Sequence, residues 1–182
     1  MRLSLAVLLP LCSALYVPDQ LQPRSKHHSK PIDSYSTEEV VKLLDLQPSN
    51  EKGYFFETFR DPDTVPGSNR SVSTAIYYLL DGAAGNSLWH KLDAAEVWHY
   101  YAGAPLVLSL STDDGTCVRD HVLGSDLAHG QRPQAVVARD EWQRARSCGE
   151  WTLVGTTVAP GFDPSGQVLQ PEGWEPRSCS KD

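Results

Sequence analysis

Between Tyr54 and Ala159, short runs rich in β-branched and aromatic residues alternate with clusters of Gly, Pro, Asp and Asn. The runs are YFFETFR (54–60), VSTAIYYLL (72–80), EVWHYYA (96–102), PLVLSLS (105–111), TCVRDHVL (116–123), PQAVVA (133–138) and WTLVGTTVA (151–159). They read as strands, because branched and aromatic side chains pack well on a pleated, half-buried surface. The clusters DGAAGN (81–86) and STDDGT (111–116) read as turns, since their glycines reach positive φ without steric cost. Seven or more strands with regular turn punctuation predict a sandwich or barrel. Ahead of them the period changes. Ser36 stands three residues before Glu39, a capping-box spacing, and Val40, Leu43 and Leu44 follow at helical intervals until Pro48. One short helix therefore opens an all-β domain, taken as residues 36–165.

The two ends follow neither pattern. Met1 and Arg2 make a short positive start, LSLAVLLPL (3–11) an apolar stretch, and Cys12-Ser13-Ala14 a small-residue cleavage site. Residues 1–14 are thus expected to be a signal peptide. The stretch is far shorter than the ~20 apolar residues that cross a bilayer, so no membrane span is expected. Residues 15–35 are polar, proline-bearing and basic between Arg24 and Lys30, and are expected to be a disordered leader or linker. His27 and His28 within it read as solvated side chains rather than metal ligands. The expected destination is the secretory pathway or the cell exterior, with organelle import by a bipartite signal as the alternative. Residues 166–182 are polar and proline-rich and are expected to leave the core.

Composition narrows the function. A chain of 182 residues, 40% of them apolar and five of them Trp, can fill one sizeable core. A formal charge of −7 argues against a nucleic-acid partner, because polyanions are bound by basic surfaces. With Cys12 removed alongside the signal, Cys117, Cys148 and Cys179 remain, enough for one disulfide and one free thiol whose pairing stays open. There is no Cys-x-x-Cys spacing to hold a structural zinc. Asn69-Arg70-Ser71 is an N-glycosylation sequon. No nucleophile elbow, Walker loop or dinucleotide fingerprint occurs.

The stretch from His90 to Gly103 resembles the first motif of the cupin superfamily, small β-barrels of jelly-roll type. His90 stands at that motif's first histidine, Glu96 at its glutamate and Gly103 at its glycine, while Leu92 replaces the second histidine. More of the chain is similar to one branch, the single-domain, epimerase-like (RmlC-like) cupins known as a domain of unknown function. GYFFETFR (53–60), STAIYYLL (73–80), WHKLDAAEVWHYYAGAPL (89–106), GQRPQAVVARDEWQRAR (130–146) and WTLVGTTVAPGFD (151–163) carry the likeness, with departures at Lys52, Phe56, Ala138 and Asp140. The resemblance spans roughly residues 37–165. It implies an all-β cupin (RmlC-like) jelly-roll β-barrel with one short N-terminal helix, and a homodimer.

It also implies that Glu96 faces the barrel interior. Side chains alternate along a strand, so Trp98 and Tyr100 then point inward beside it, and His99 and Tyr101 outward unless a bulge resets the parity. His90 joins from the preceding strand and Gln143 from the second motif, at the place of the last cupin histidine. His90, Glu96 and Gln143 are the candidate metal ligands, with His99 added only if a bulge turns it inward. One histidine, one carboxylate and one amide make a poor cage, but Zn, Mn, Fe or Ni would suit it better than Ca. Without a metal, His90 is the candidate base, Glu96 raises its basicity, and Tyr54, Tyr78 or Tyr100 could return a proton, so His90, Glu96 and Tyr100 form the catalytic set. Sugar-nucleotide epimerases surround their histidine with an Arg-Gly-x-His-x-Gln signature, where this chain reads SLWHKL (87–92). As a binding module the chain would offer Trp89, Trp98, Trp142 and Tyr100 as stacking faces, with Gln143, Glu57 and Tyr78 as further ligand contacts. Glu57 has an alternative use in a surface pair with Arg60 or Arg70. The expected function is binding of a small polar metabolite, a sugar or carbonyl compound, with isomerisation, metal-dependent catalysis and non-catalytic binding as competing outcomes.

Overall fold

The computed structural model describes residues 30–179. The expected signal peptide and most of the expected leader lie outside the described residues. Helix α1 (Thr37–Leu43) starts where the capping box places it: Glu39 N donates to Ser36 Oγ at 3.3 Å, and Ser36 N donates back to Glu39 Oε2 at 2.8 Å. Eleven strands follow: β1 (Gln47–Pro48), β2 (Tyr54–Arg60), β3 (Thr74–Asp81), β4 (His90–Leu92), β5 (Ala95–Gly103), β6 (Leu106–Ser111), β7 (Arg119–Leu123), β8 (Gln134–Val137), β9 (Trp142–Ser147), β10 (Trp151–Ala159) and β11 (Gln167–Leu169).

They form two antiparallel sheets, one in the order β1-β2-β3-β10-β5-β8 and one in the order β11-β4-β9-β6-β7. The two inner faces share a core: Tyr78, Leu80, Trp98, Val137 and Val154 from the larger sheet meet Leu106, Leu108, Leu110, Leu123 and Ala145 from the smaller. Alternation decides membership, since residues two apart on a strand share a face. The outer face of the larger sheet carries α1 over Leu79, Trp151 and Leu153, with Val40 buried between them. Tyr54 packs there too, which removes it from the interior.

Two bulges set side-chain direction. On β2 the register against β3 slips between Glu57 and Phe59, so Glu57 and Arg60, three residues apart, come onto the same side. On β5 the slip against β10 falls after Tyr100, between the pairs Val154–Tyr100 and Leu153–Ala102. It comes too late to turn His99, which stays outward beside Gln134. The space opposite Tyr101 is left by Gly155, where a Cβ would lie 2.2 Å from the Tyr101 hydroxyl.

The C-terminal segment departs from the sequence expectation. Instead of leaving the core, Gln167–Leu169 pairs with β4 as an edge strand. Beyond it, the Trp174 ring lies 4.6 Å from Trp142 and 6.4 Å from Trp89, and Glu175 accepts from the Trp89 indole N–H and pairs with Arg144. Cys179 forms a disulfide with Cys117, and among the described residues Cys148 is the free, exposed thiol. Low hydrophobicity misleads here because the segment is held by one indole, three ion pairs and a covalent bond rather than by an apolar face.

Candidate functional site

A cavity of about 440 Å³ opens between the sheets at the end where β1, β4 and β11 lie. Apolar and aromatic side chains make most of its wall, among them Phe55, Ile76, Leu92, Trp98, Val158 and Phe162. Four of its polar groups come from four separate places. His90 arrives on β4, Glu96 on β5, Gln167 on β11, and Glu51 on the loop joining β1 to β2.

That loop is fixed from several sides. Lys52 and Gly53 both take positive φ, 76° and 71°, and a Cβ on Gly53 would sit 2.5 Å from the Leu79 carbonyl oxygen, so only glycine fits. Leu88 N donates to Glu51 O at 3.0 Å, and the Tyr78 hydroxyl donates to Lys52 O at 2.8 Å. Glu51 thereby meets His90, with Oε2 and Nε2 3.5 Å apart, while its other oxygen accepts from the Gln167 amide. His90 Nδ1 lies 3.1 Å from Leu88 O. A carbonyl only accepts, so Nδ1 carries a proton and Nε2 is the nitrogen turned to Glu51 and the cavity.

Glu96 is only 6% exposed. Gln143 ties it to the core: its amide donates to Glu96 Oε2 at 2.7 Å, and its oxygen accepts the Trp98 indole N–H at 2.9 Å. Burial pushes the Glu96 carboxyl above the usual range for a glutamate. His90 and hydrogen bonds from Thr156 and Gln143 oppose the rise, and Glu51 adds to it. Burial likewise holds Tyr78 well above the ordinary phenol range, so it stays protonated and keeps donating to the loop.

Of the residues singled out in the sequence, the cavity gathers His90, Glu96, Trp98, Tyr78 and Glu57. Glu57 does both things expected of it, lining the mouth while pairing with Arg60 at 2.7 and 2.9 Å. Gln143 faces inward but has no free surface, and both ends of its amide are taken, so it positions Glu96 rather than contacting a ligand. Tyr100 packs against the core with its hydroxyl on Gly103 O, outside the cavity lining. Trp89 and Trp142 face away, against Trp174 on the outer side of the smaller sheet. Glu51, Gln167 and Thr156 are among the cavity residues that carry no signal in the sequence.

The expected metal set does not assemble. Gln143 lacks a free oxygen, and among the described residues no group of three His, Cys, Asp or Glu side chains is arranged to hold a metal ion. The donor set does not fit a metal, and no step below passes through one.

Two facing antiparallel sheets, one leading helix, and a histidine and a glutamate turned inward from opposite sheets define a cupin-type jelly roll. The comparisons agree. The model of the family described as Cupin superfamily (DUF985) matches residues 38–169, and the chain belongs to that family. A solved protein from Shewanella oneidensis is 29% identical, with a TM-score of 0.69 over 75% of this chain and 85% of that one. A hypothetical protein from Leishmania major is 27% identical, with a TM-score of 0.68 over 74% and 86%. The capsular polysaccharide assembling protein CapF from Staphylococcus aureus shares the fold at 12% identity, with a TM-score of 0.51 over 68% of this chain and 33% of that one. No curated protein matches the chain. Among the described residues no helix is long and apolar enough to cross a membrane.

Proposed function

We propose that the cavity binds a small polar metabolite, a sugar or other carbonyl-bearing compound, and that His90 moves a proton on it. One observation carries this reading. A histidine 3% exposed turns Nε2 toward an apolar-walled cavity, flanked by two carboxylates that the core holds in place. Structural packing alone gives no return on burying His90 and Glu96 with a half-buried Glu51 beside them, because desolvating ionisable groups costs several kcal/mol that a single pairing only partly returns. In this reading Nε2 takes a proton from the carbon beside the carbonyl as the C–H electron pair moves onto the carbonyl oxygen, and the ring returns the proton to that carbon as the carbonyl re-forms. Glu51 stabilises the imidazolium formed in between, and the Nδ1 bond to Leu88 O fixes the ring.

The test is to purify the protein natively, identify by mass spectrometry the small molecules that co-purify, and incubate them with the protein in deuterated water. Deuterium at one carbon, abolished by His90→Gln, is the expected result. Ligand-dependent thermal stabilisation without exchange would reduce the protein to a binding module. The absence of both stabilisation and exchange would overturn the reading.

We also propose passage through an oxidising, secretory compartment, supported by the Cys117–Cys179 disulfide and by the exposed position of Asn69 in the turn between Val65 and Arg70. Expression in a eukaryotic secretory host should give a mass excess that a glycosidase removes and that Asn69→Gln abolishes. Pairing with a second copy is proposed through the outer face of the larger sheet, where Tyr101 and Val136 are 51% and 60% exposed. Light scattering should then return twice the chain mass, and Tyr101→Glu should return one.

A further inference from the structure

The cavity is acidic and has no cation to spare. Glu51, Glu57 and Glu96 line it, and Arg60 is the one arginine or lysine among the lining residues. Its guanidinium is already bound twice by Glu57 and once by Phe162 O at 3.3 Å. That leaves His90 to serve both Glu51 and Glu96. One ring can balance one carboxylate at most. The other carboxylate has only neutral donors, Gln167 on Glu51 or Gln143 and Thr156 on Glu96. Burial raises the Glu96 carboxyl, as follows for an acid in an enclosed site short of positive charge. The rest of the wall is built from Phe55, Trp98 and Phe162, rings of the kind that attract cations to their faces.

We infer that the ligand of this cavity carries a protonated amine, and that the site rejects phosphate- and carboxylate-bearing compounds. The inference rests on the cavity being a ligand site, as proposed above. An ammonium group brought between Glu51 and Glu96 supplies the missing charge and three N–H donors. It replaces a proton: one H⁺ held by the Glu51–His90–Glu96 group leaves to solvent as the organic cation enters. A ligand carboxylate or phosphate would instead face two acids across a poorly solvated space, with no free arginine or lysine to receive it. The diphosphate of a sugar nucleotide is excluded by the same count. The apolar wall suits the hydrocarbon part of an amine and leaves its charged end for the acids.

n-Butylammonium, n-butanol and n-butyrate share a chain length and differ in charge, which makes them suitable probes. Their binding to the full chain near neutral pH can be followed by NMR shifts of the Trp98 indole N–H and the His90 ring. Butylammonium should bind at least ten-fold more tightly than butanol, about 1.4 kcal/mol, and butyrate more weakly than butanol. Calorimetry in two buffers of different ionisation enthalpy should report proton release for butylammonium alone. Glu96→Gln should lower the butylammonium-to-butanol affinity ratio at least three-fold or so, a loss read against the unchanged chemistry of the two probes. Equal binding of all three probes, or butyrate binding as tightly as butylammonium, overturns the charge assignment and leaves the cavity a ligand site. No shift at Trp98 or His90 with any probe overturns the ligand site itself, and the proposed function with it.

Discussion

Glu96 shows how a residue can belong to a site by residing where stability would not put it. Its carboxyl is raised above the ordinary glutamate value, so ionising it costs the folded state more than the unfolded one. The sign is fixed by that direction. Below the unfolded value of 4.5 both states hold the proton and there is no penalty. As pH climbs from there through the raised folded value, stability is lost, and above that value the loss is complete. Glu96→Gln removes the titration and keeps an acceptor for the Gln143 amide. The stability difference between variant and wild type should therefore grow in the variant's favour from about pH 4.5 upward, in urea titrations at a series of pH values. A difference independent of pH would mean that Glu96 keeps an ordinary acidity in the fold. This residue and His90 could be read from the sequence, because cupin spacing marks both and alternation carries Trp98 inward with Glu96. Gln143 could be placed but not assigned its role. The second motif points it into the barrel as a candidate ligand, whereas the indole and carboxylate that occupy its two ends come from another sheet.

Among the elements, the strands were the most legible and the connections the least. Every run from YFFETFR to WTLVGTTVA holds a strand, because alternation repeats over several residues and signals itself. Glu51 had no such signal. It sits in a polar loop whose backbone, with Lys52 and Gly53 at positive φ, resembles any turn until Tyr78 and Leu88 are seen to hold it. Strand β11 was hidden for a related reason: three residues cannot show a period, and the polar context around them suggests a tail. Yet it delivers Gln167 to Glu51, and Trp174 beyond it caps the outer face of β4 and β9. Trp174→Ala should loosen this strap without unfolding the domain. Hydrogen exchange at residues 167–169 should speed up by an order of magnitude or more, as expected for an edge strand that has lost its packed anchor. The His90 ring resonances should shift as the Gln167–Glu51 contact weakens. Faster exchange with no change at His90 would separate the strap from the site.

For the whole molecule, the question is what ties the end of the chain to the barrel. Fixed covalently, Cys117 and Cys179 close a loop with a sequence separation of 62. Linking two points that far apart removes loop-closure freedom from the unfolded chain, worth about 4 kcal/mol on the chain-entropy account. The folded state keeps the rest of its strap contacts without the bond: the indole stack, the Glu175–Arg144 and Lys52–Glu172 pairs, and the Arg177 bonds to Asp113. The double variant Cys117→Ser/Cys179→Ser should therefore fold to the same structure and unfold more easily. At roughly 2–4 °C per kcal/mol for a domain of this size, Tm should fall by about 8–16 °C. The fall should also appear in wild-type protein treated with a thiol reductant, and reduction should not lower the variant further, because Cys148 has no disulfide partner among the described residues. A variant as stable as the wild type would mean that the unfolded chain is already compact around residues 117–179, so that the bond removes little freedom. The −7 charge bears on the same measurement. Salt that screens self-repulsion should raise both melting points equally if the disulfide acts through chain entropy, so the gap between the two proteins should persist from low to high ionic strength.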